Sequence, residues 1–203
     1  MPGRRLFIAT PLPSPVADSV SRLVHGVRDD VAATLASGGR NGEGEREVRW
    51  VRMDGLHLTL RFLGPTLDDR LPALGEIVTR AAGAAGPFEV EIAGGGAFPD
   101  RARPRVLWLG ISRGLEQLAS LASGVEDLLV DAGWPREERG FRAHLTVARA
   151  DGVHAGAVTA DALVAAAGRF REAWTVDRVV LFESHTGHGP ARYEQLSEAR
   201  LGG

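Results

Sequence analysis

Cysteine is absent from the 203 residues, and so is lysine: every one of the 24 basic side chains is arginine. The first absence removes disulfides, thiol nucleophiles, cysteine-ligated zinc and iron–sulfur clusters. The second removes a phosphate-loop lysine, a Schiff-base lysine and a lysyl adenylate. It also weakens any inference from arginine as such, since the chain places no other strong cation. A surplus of one sign is missing too: 24 basic against 26 acidic residues leave a net charge of −2, so any nucleic-acid contact must be local. No apolar run approaches the roughly 18 residues of a membrane helix. After Arg4-Arg5 the apolar stretch Leu6 to Ala9 stops before Pro11, Pro13 and Pro15, too short for the apolar region of an export signal. A cytoplasmic protein with no membrane association is the expectation. What remains is a globular composition, 44% hydrophobic, over a length that suits one domain or two intimately packed lobes.

Read along the chain, Leu6 to Thr10 predicts a strand and Ser14-Pro15 a helix start, with Val16, Val20, Leu23, Val24, Val27 and Val31 as its buried stripe. Ser37 to Glu47 is a Gly-rich polar connection without the strand-turn-helix setting of a phosphate loop. Val48 to Val51 and His57 to Phe62 read as strands, and Leu71, Leu74, Ile77, Val78 and Ala81 as a second helical stripe. Phe88 to Ile92 and Val106 to Gly110 read as strands separated by Gly94-Gly95-Gly96 and a loop carrying Arg101, Arg103 and Arg105. Leu115 to Leu129 predicts a third helix ending near Gly133. Phe141 to Arg149 reads as strand, Thr159 to Ala167 as an Ala-rich helix, and Thr175 to Glu183 and Arg192 to Ala199 as the closing strands. Without a regular strand-helix alternation, an α+β fold with antiparallel sheets is favoured over a doubly wound one.

The informative feature is a repeat, His57-Leu58-Thr59-Leu60 and His144-Leu145-Thr146-Val147. With 6 histidines and 9 threonines in the chain, roughly 0.3 His-x-Thr occurrences are expected by chance. In a strand, residues i and i+2 share a face, so each motif presents one imidazole and one hydroxyl together while its aliphatic residues pack into the lobe. If the two halves face each other, one cleft holds two histidines and two threonines. That set suits the opening of a cyclic phosphodiester, which needs a base for water, an acid for the departing ribose oxygen and donors for the non-bridging oxygens. Two histidines of near-neutral pKa supply base and acid, and Thr59 and Thr146 supply the donors.

The two motifs stand in longer contexts: Leu6-Phe7-Ile8-Ala9, Trp50-Val51, His57 to Gly64 (HLTLRFLG), Ala97-Phe98-Pro99, Arg105 to Gly110 (RVLWLG), Phe141 to Arg149 (FRAHLTVAR), and Leu181 with Ser184 ahead of Tyr193. In these the chain resembles the 2H phosphoesterase superfamily, and within it the RNA 2′,3′-cyclic phosphodiesterases, also called LigT-like or 2′-5′ RNA ligases. Ala143 departs from the pattern, in which a proline usually precedes the second histidine. The resemblance implies a single bilobal domain over residues 1–203, built of two pseudo-symmetric antiparallel sheets flanked by helices around a central cleft without metal or other cofactor. It further implies hydrolysis of 2′,3′-cyclic phosphate ends of RNA or nucleotides to 2′-phosphates, with ATP-independent 2′-5′ ligation in some members. In that scheme His57 is the acid on the ribose 3′ oxygen and His144 the base on water. The absence of lysine agrees with a route that needs no ATP, and a monomer is expected.

Five positions on from each histidine stand Phe62 and Arg149, which could sandwich a nucleobase. Strand parity opposes this, because i+5 points away from the face of i. The stack therefore requires the strands to end or bulge just past the motifs, as Gly64-Pro65 and Asp151-Gly152 permit, and otherwise Phe62 is a core residue and Arg149 a phosphate donor. Other readings remain open. Zinc is poorly served by two histidines without a carboxylate at the i+2 positions. His185 and His188 share a Gly-rich turn at metal-compatible spacing and read as exposed loop residues, while His25 and His154 read as surface. Arg101, Arg103 and Arg105 either line an RNA entrance or belong to a solvated loop. A different class of function is a binding module of the same fold that captures nucleotides without turnover.

Overall fold

The computed structural model describes residues 3–37, 48–151, 153–187 and 189–203. The first half runs β1 (Arg4–Pro11), α1 (Ser14–Ser37), β2 (Val48–Trp50), β3 (His57–Thr66), α2 (Leu71–Gly83) and β4 (Phe88–Phe98). The second runs β5 (Val106–Arg113), α3 (Leu115–Asp131), β6 (His144–Ala150), α4 (Val153–Ala167), β7 (Arg171–Val176), β8 (Arg178–His185) and β9 (Arg192–Arg200). Helical spacing of aliphatic residues decides which face each helix buries: Val16, Val20, Val24, Val27, Val31 and Leu35 on α1, and Leu118, Leu121, Ala122, Val125 and Leu129 on α3. Among the described residues no helix is long and apolar enough to cross a membrane.

The strands form two antiparallel sheets, one ordered β3-β1-β8-β9 and the other β2-β6-β5-β4-β7, which makes the fold α+β. Leaving aside the edge strand β2, the two orders correspond position by position, β3 with β6, β1 with β5, β8 with β4 and β9 with β7. The chain exchanges elements between them. β2 and β4, from the first half, lie in the second sheet, and β8 and β9, from the second half, complete the first. The helices are exchanged as well: α1 and α4 pack together on the second sheet, and α2 and α3 on the first. Buried side chains of both sheets and all four helices join in one continuous apolar cluster.

Several boundaries differ from those the sequence predicts. Gly94 to Gly96 do not separate strands but lie inside β4, because the Trp108 ring of β5 lies where a Gly96 Cβ would stand, 2.5 Å from its nearest atom. Thr175 to Glu183 is two strands in different sheets. The chain turns at Asp177, whose carbonyl accepts from the Leu201 N–H at 2.8 Å and whose carboxylate accepts from Arg200 at 3.0 Å. The Ala-rich helix begins at Val153, which puts His154 on its first turn, exposed, and not in a loop. β6 begins only at His144, and the connection 38–47 lies outside the described residues.

Candidate active site

His57 opens β3 and His144 opens β6, the corresponding strands of the two sheets. Each imidazole is anchored in the same way. His57 Nδ1 lies 2.7 Å from the Gly55 carbonyl and His144 Nδ1 lies 2.7 Å from the Arg142 carbonyl, in both cases two residues earlier. A carbonyl oxygen only accepts, so both Nδ1 atoms carry hydrogen and both Nε2 atoms are left for chemistry. An aromatic edge seats each ring as well: Tyr193 stands perpendicular to His57 at 5.0 Å between centroids, and Phe98 perpendicular to His144 at 5.2 Å. Phe7, 2% exposed, lies beside His57 at 4.6 Å and stacks on Phe182 at 5.2 Å, a buried aromatic layer on the cleft side of the first sheet.

A cavity of about 380 Å³ lies against this layer, lined by His57, Thr59 and Phe62 of β3, Thr146 and Arg149 of β6, and Tyr193 of β9. His144 is outside that lining, yet a positive charge on it opposes protonation of His57. Both threonines line the cavity, neither hydroxyl bonded to another protein group among the described residues, and the lining includes no carboxylate.

Phe62 and Arg149 reach the cavity because both strands change parity inside the motif. β1 pairs Ala9 with Thr59 but Ile8 with Arg61 and Phe7 with Phe62, so Leu60 is an extra residue. β5 pairs Trp108 with Thr146 but Leu107 with Ala148 and Val106 with Arg149, so Val147 is the extra residue. Leu60 and Val147 are the fourth positions of the two repeats. Beyond each bulge, position i+5 returns to the face of the histidine. The change comes earlier than the sites the sequence offered for it, and β3 continues through Gly64-Pro65 to Thr66. Phe62, 55% exposed, is not a core residue.

The expectation of two near-neutral histidines does not hold for His57. Burial pushes His57 down to about 4, opposed by the bond to Gly55 and assisted by His144. Burial also lowers His144, opposed by the Arg142 carbonyl and assisted by the Arg149 guanidinium. The phenol of Tyr193 is raised by burial and drawn back by the Arg149 guanidinium, which lines the same cavity.

Tyr193 and Phe7, which the sequence offers only as parts of the longer motif contexts, belong to this site, and so does Gly55, which those contexts leave out. Tyr193 is the only tyrosine in the chain, and its ring covers Gly55 so closely that a Cβ there would lie 2.8 Å from Cδ2. A glycine two residues before the histidine was the available signal. His185 is the last residue of β8 and not a loop residue, with Nε2 3.0 Å from Glu194 and 3.9 Å from Glu183. These three side chains could hold a cation, but Glu183 already accepts from Arg4 at 2.8 Å. His188 lies outside the described residues. Arg101 is paired with Asp161 at 3.1 Å, and Arg101, Arg103 and Arg105 are all exposed.

Comparison with known proteins bears on this arrangement. A relative from Methanothermobacter thermautotrophicus, an RNA 2′,3′-cyclic phosphodiesterase, is 32% identical over 148 residues, 73% of this chain and 72% of that one. Relatives of the same name from Aquifex aeolicus and Aeropyrum pernix are 34% and 36% identical over 50% and 52% of this chain. The match spans only 54% and 58% of those two relatives, little more than half their length. Among crystal structures, Escherichia coli LigT complexed with 3′-AMP is similar over 99% of both chains, with a TM-score of 0.71 and 26% identity. The TT0787 protein of Thermus thermophilus is similar over 98% of both chains, with a TM-score of 0.69 and 27% identity. The model of the 2′-5′ RNA ligase superfamily matches residues 23–188, both repeats included, and the chain belongs to that family.

Proposed function

We propose that this chain is an RNA 2′,3′-cyclic phosphodiesterase that opens the cyclic phosphate at an RNA or nucleotide end to leave a 2′-phosphate. The observation that carries the reading is the matched pair of histidines, each with Nδ1–H held by a backbone carbonyl and Nε2 free, beside two unengaged threonine hydroxyls. His144 Nε2 takes a proton from the attacking water. As the phosphorus to O3′ bond breaks, His57 Nε2–H returns a proton to the departing ribose oxygen. Thr59 and Thr146 donate to the non-bridging oxygens and hold phosphorus in line. Phe62 and Arg149, turned into the cavity by the two bulges, clasp the nucleobase, with Arg149 also within reach of phosphate.

The acid role requires His57 to be protonated, and at about 4 its pKa leaves it neutral near pH 7. The substrate supplies the correction. A phosphodiester anion about 4 Å away contributes about 4 kcal/mol at an effective dielectric of 20, enough to raise the pKa by about three units. Bound substrate thus creates its own acid. A cavity lining without carboxylates supports a route that needs no metal, and the missing lysine supports one that needs no ATP. Run backwards with an RNA 5′-hydroxyl, the same displacement makes a 2′-5′ bond. The continuous core supports one bilobal domain over residues 1–203.

The test is turnover of a defined RNA bearing a 2′,3′-cyclic phosphate, with chelator present and ATP absent, followed by identification of the 2′-phosphate. His57→Ala and His144→Ala are each expected to cost about 10² to 10⁴ in rate. Near-normal activity of either variant, or dependence on added metal, would overturn the mechanism. Binding without turnover by the unaltered chain would leave the nucleotide-binding module as the better reading.

A further inference from the structure

Arg61 stands next to the bulge residue Leu60, and its guanidinium is unlike those of the other arginines paired with carboxylates among the described residues. Its side chain is only 10% exposed and pairs with Glu126 of α3, itself 14% exposed, at 2.5 Å. Nη1 and Nη2 donate to two backbone carbonyls, Phe62 at 2.6 Å and Pro135 at 2.6 Å, and Nη1 also lies 3.5 Å from a second carboxylate, that of Glu137. Glu126 is used on both oxygens, since Oε1 accepts from the Glu137 N–H at 2.7 Å. The network therefore grips one residue of the cavity wall and two residues of the connection between α3 and β6. That connection runs on through Arg142, whose carbonyl orients His144. Its start is fixed to the turn between β3 and α2 by a second arginine, because Arg70 donates to the Ala132 carbonyl at 2.8 Å and lies over the Trp134 ring at 3.8 Å.

We infer that Arg61, with Glu126, is a positioning residue that sets the two halves of the cleft in register. The topology makes such a device necessary. α3 follows β5 of the second sheet but packs on β3 of the first, so the chain returns to β6 from the wrong side of the molecule. A buried ion pair adds little net stability compared with apolar side chains of similar volume, but its fork fixes several groups in direction. Here the groups fixed are the Phe62 carbonyl on the β3 side and Pro135 and Glu137 on the path to His144. Removing the fork leaves the two sheets packed and releases the relation between the His57 and His144 strands.

Because either single substitution takes from a buried charge its nearest partner, the informative variant is the double replacement Arg61→Met with Glu126→Met. It is compared with the unaltered chain in thermal melting, in turnover of RNA 2′,3′-cyclic phosphate, and in the distance between nitroxides on Arg28→Cys of α1 and Thr79→Cys of α2. The cysteine-free background makes those two labels unique. The expected result is a melting temperature close to that of the unaltered chain, a broadened distance distribution, and kcat about 10- to 100-fold lower with KM changed by less. A folded double variant with unaltered distances and kcat would overturn the inference and leave the network a stability element. A double variant that fails to fold would do the same, since it would show that the pair is needed for the core. Only the kinetic arm rests on the proposed phosphodiesterase reading. Absence of turnover in the unaltered chain would defeat that reading, while the distances would still decide the coupling.

Discussion

The low pKa of His57 makes a stability prediction that needs no substrate. In the unfolded chain the imidazole titrates near 6.5, and in the folded chain burial pushes it down to about 4. The folded value is the lower one, so between the two the unfolded chain holds a proton that the folded chain lacks. Stability therefore rises with pH through this window and is lost as pH falls from about 6.5 towards 4. The whole difference corresponds to about 3 kcal/mol, of which about 2 kcal/mol disappears between about pH 7 and pH 5. His57→Asn removes the titration while keeping a donor that can reach the Gly55 carbonyl. Urea unfolding followed by fluorescence of the four tryptophans gives the stability of both proteins across that range. Carboxylates and the remaining histidines are common to both and largely cancel, so the stability advantage of the unaltered chain should shrink by about 2 kcal/mol as the pH falls to about 5. A saturating nucleotide 2′-phosphate should reduce that loss, because its anion favours the imidazolium. An advantage that stays constant with pH would show that His57 is not held neutral by burial, and the substrate-created acid would lose its basis.

Thr59→Val and Thr146→Val keep shape and remove a donor; each should lower kcat about 10²-fold with little change in urea midpoint, and normal kcat in both would make the hydroxyls packing groups. Phe62→Ala should weaken a 2′-phosphonucleotide by about 1 to 3 kcal/mol and leave the ribose phosphate lacking a base unaffected; equal losses measured calorimetrically for the two ligands would reject stacking. Arg149→Ala should weaken both ligands if it reaches phosphate, and only the base-bearing one if it stacks. Gly55→Ala puts a methyl 2.8 Å from Tyr193 Cδ2, so the ring must move off His57; a fall in kcat without loss of fold is expected, and a pH–rate profile identical to that of the unaltered chain would remove Tyr193 from the positioning of His57.

Local pattern made much of the fold legible. The valine stripe of α1 and the leucine stripe of α3 are buried along the faces their spacing predicts, since amphipathic periodicity is a property of the segment itself. Failures occur where a tertiary neighbour decides. Gly94 to Gly96 reads as a turn because glycine breaks isolated strands, yet Gly96 is in β4 because a tryptophan on the adjacent strand needs the space. The stretch Thr175 to Glu183 reads as one strand because nothing in it marks the turn at Asp177, which is held by residues some two dozen positions later. The exchange of β4 and β8 between sheets is invisible for the same reason, being a choice of partner and not of conformation.

The site shows the same division at finer grain. His57, Thr59, His144 and Thr146 share their faces by ordinary strand alternation, so the repeat alone places them. Phe62 and Arg149 depend on the bulges, and a bulge carries no marker in its own residue: Leu60 and Val147 are aliphatics that a regular strand would also bury. Strand by strand, parity sends i+5 away from the cleft. The repeat, however, includes the bulge, since the slip falls at the fourth position in both sheets. A side chain's face here is therefore a property of the duplicated unit and not of the single strand, so each half of the chain is the better guide to the geometry of the other.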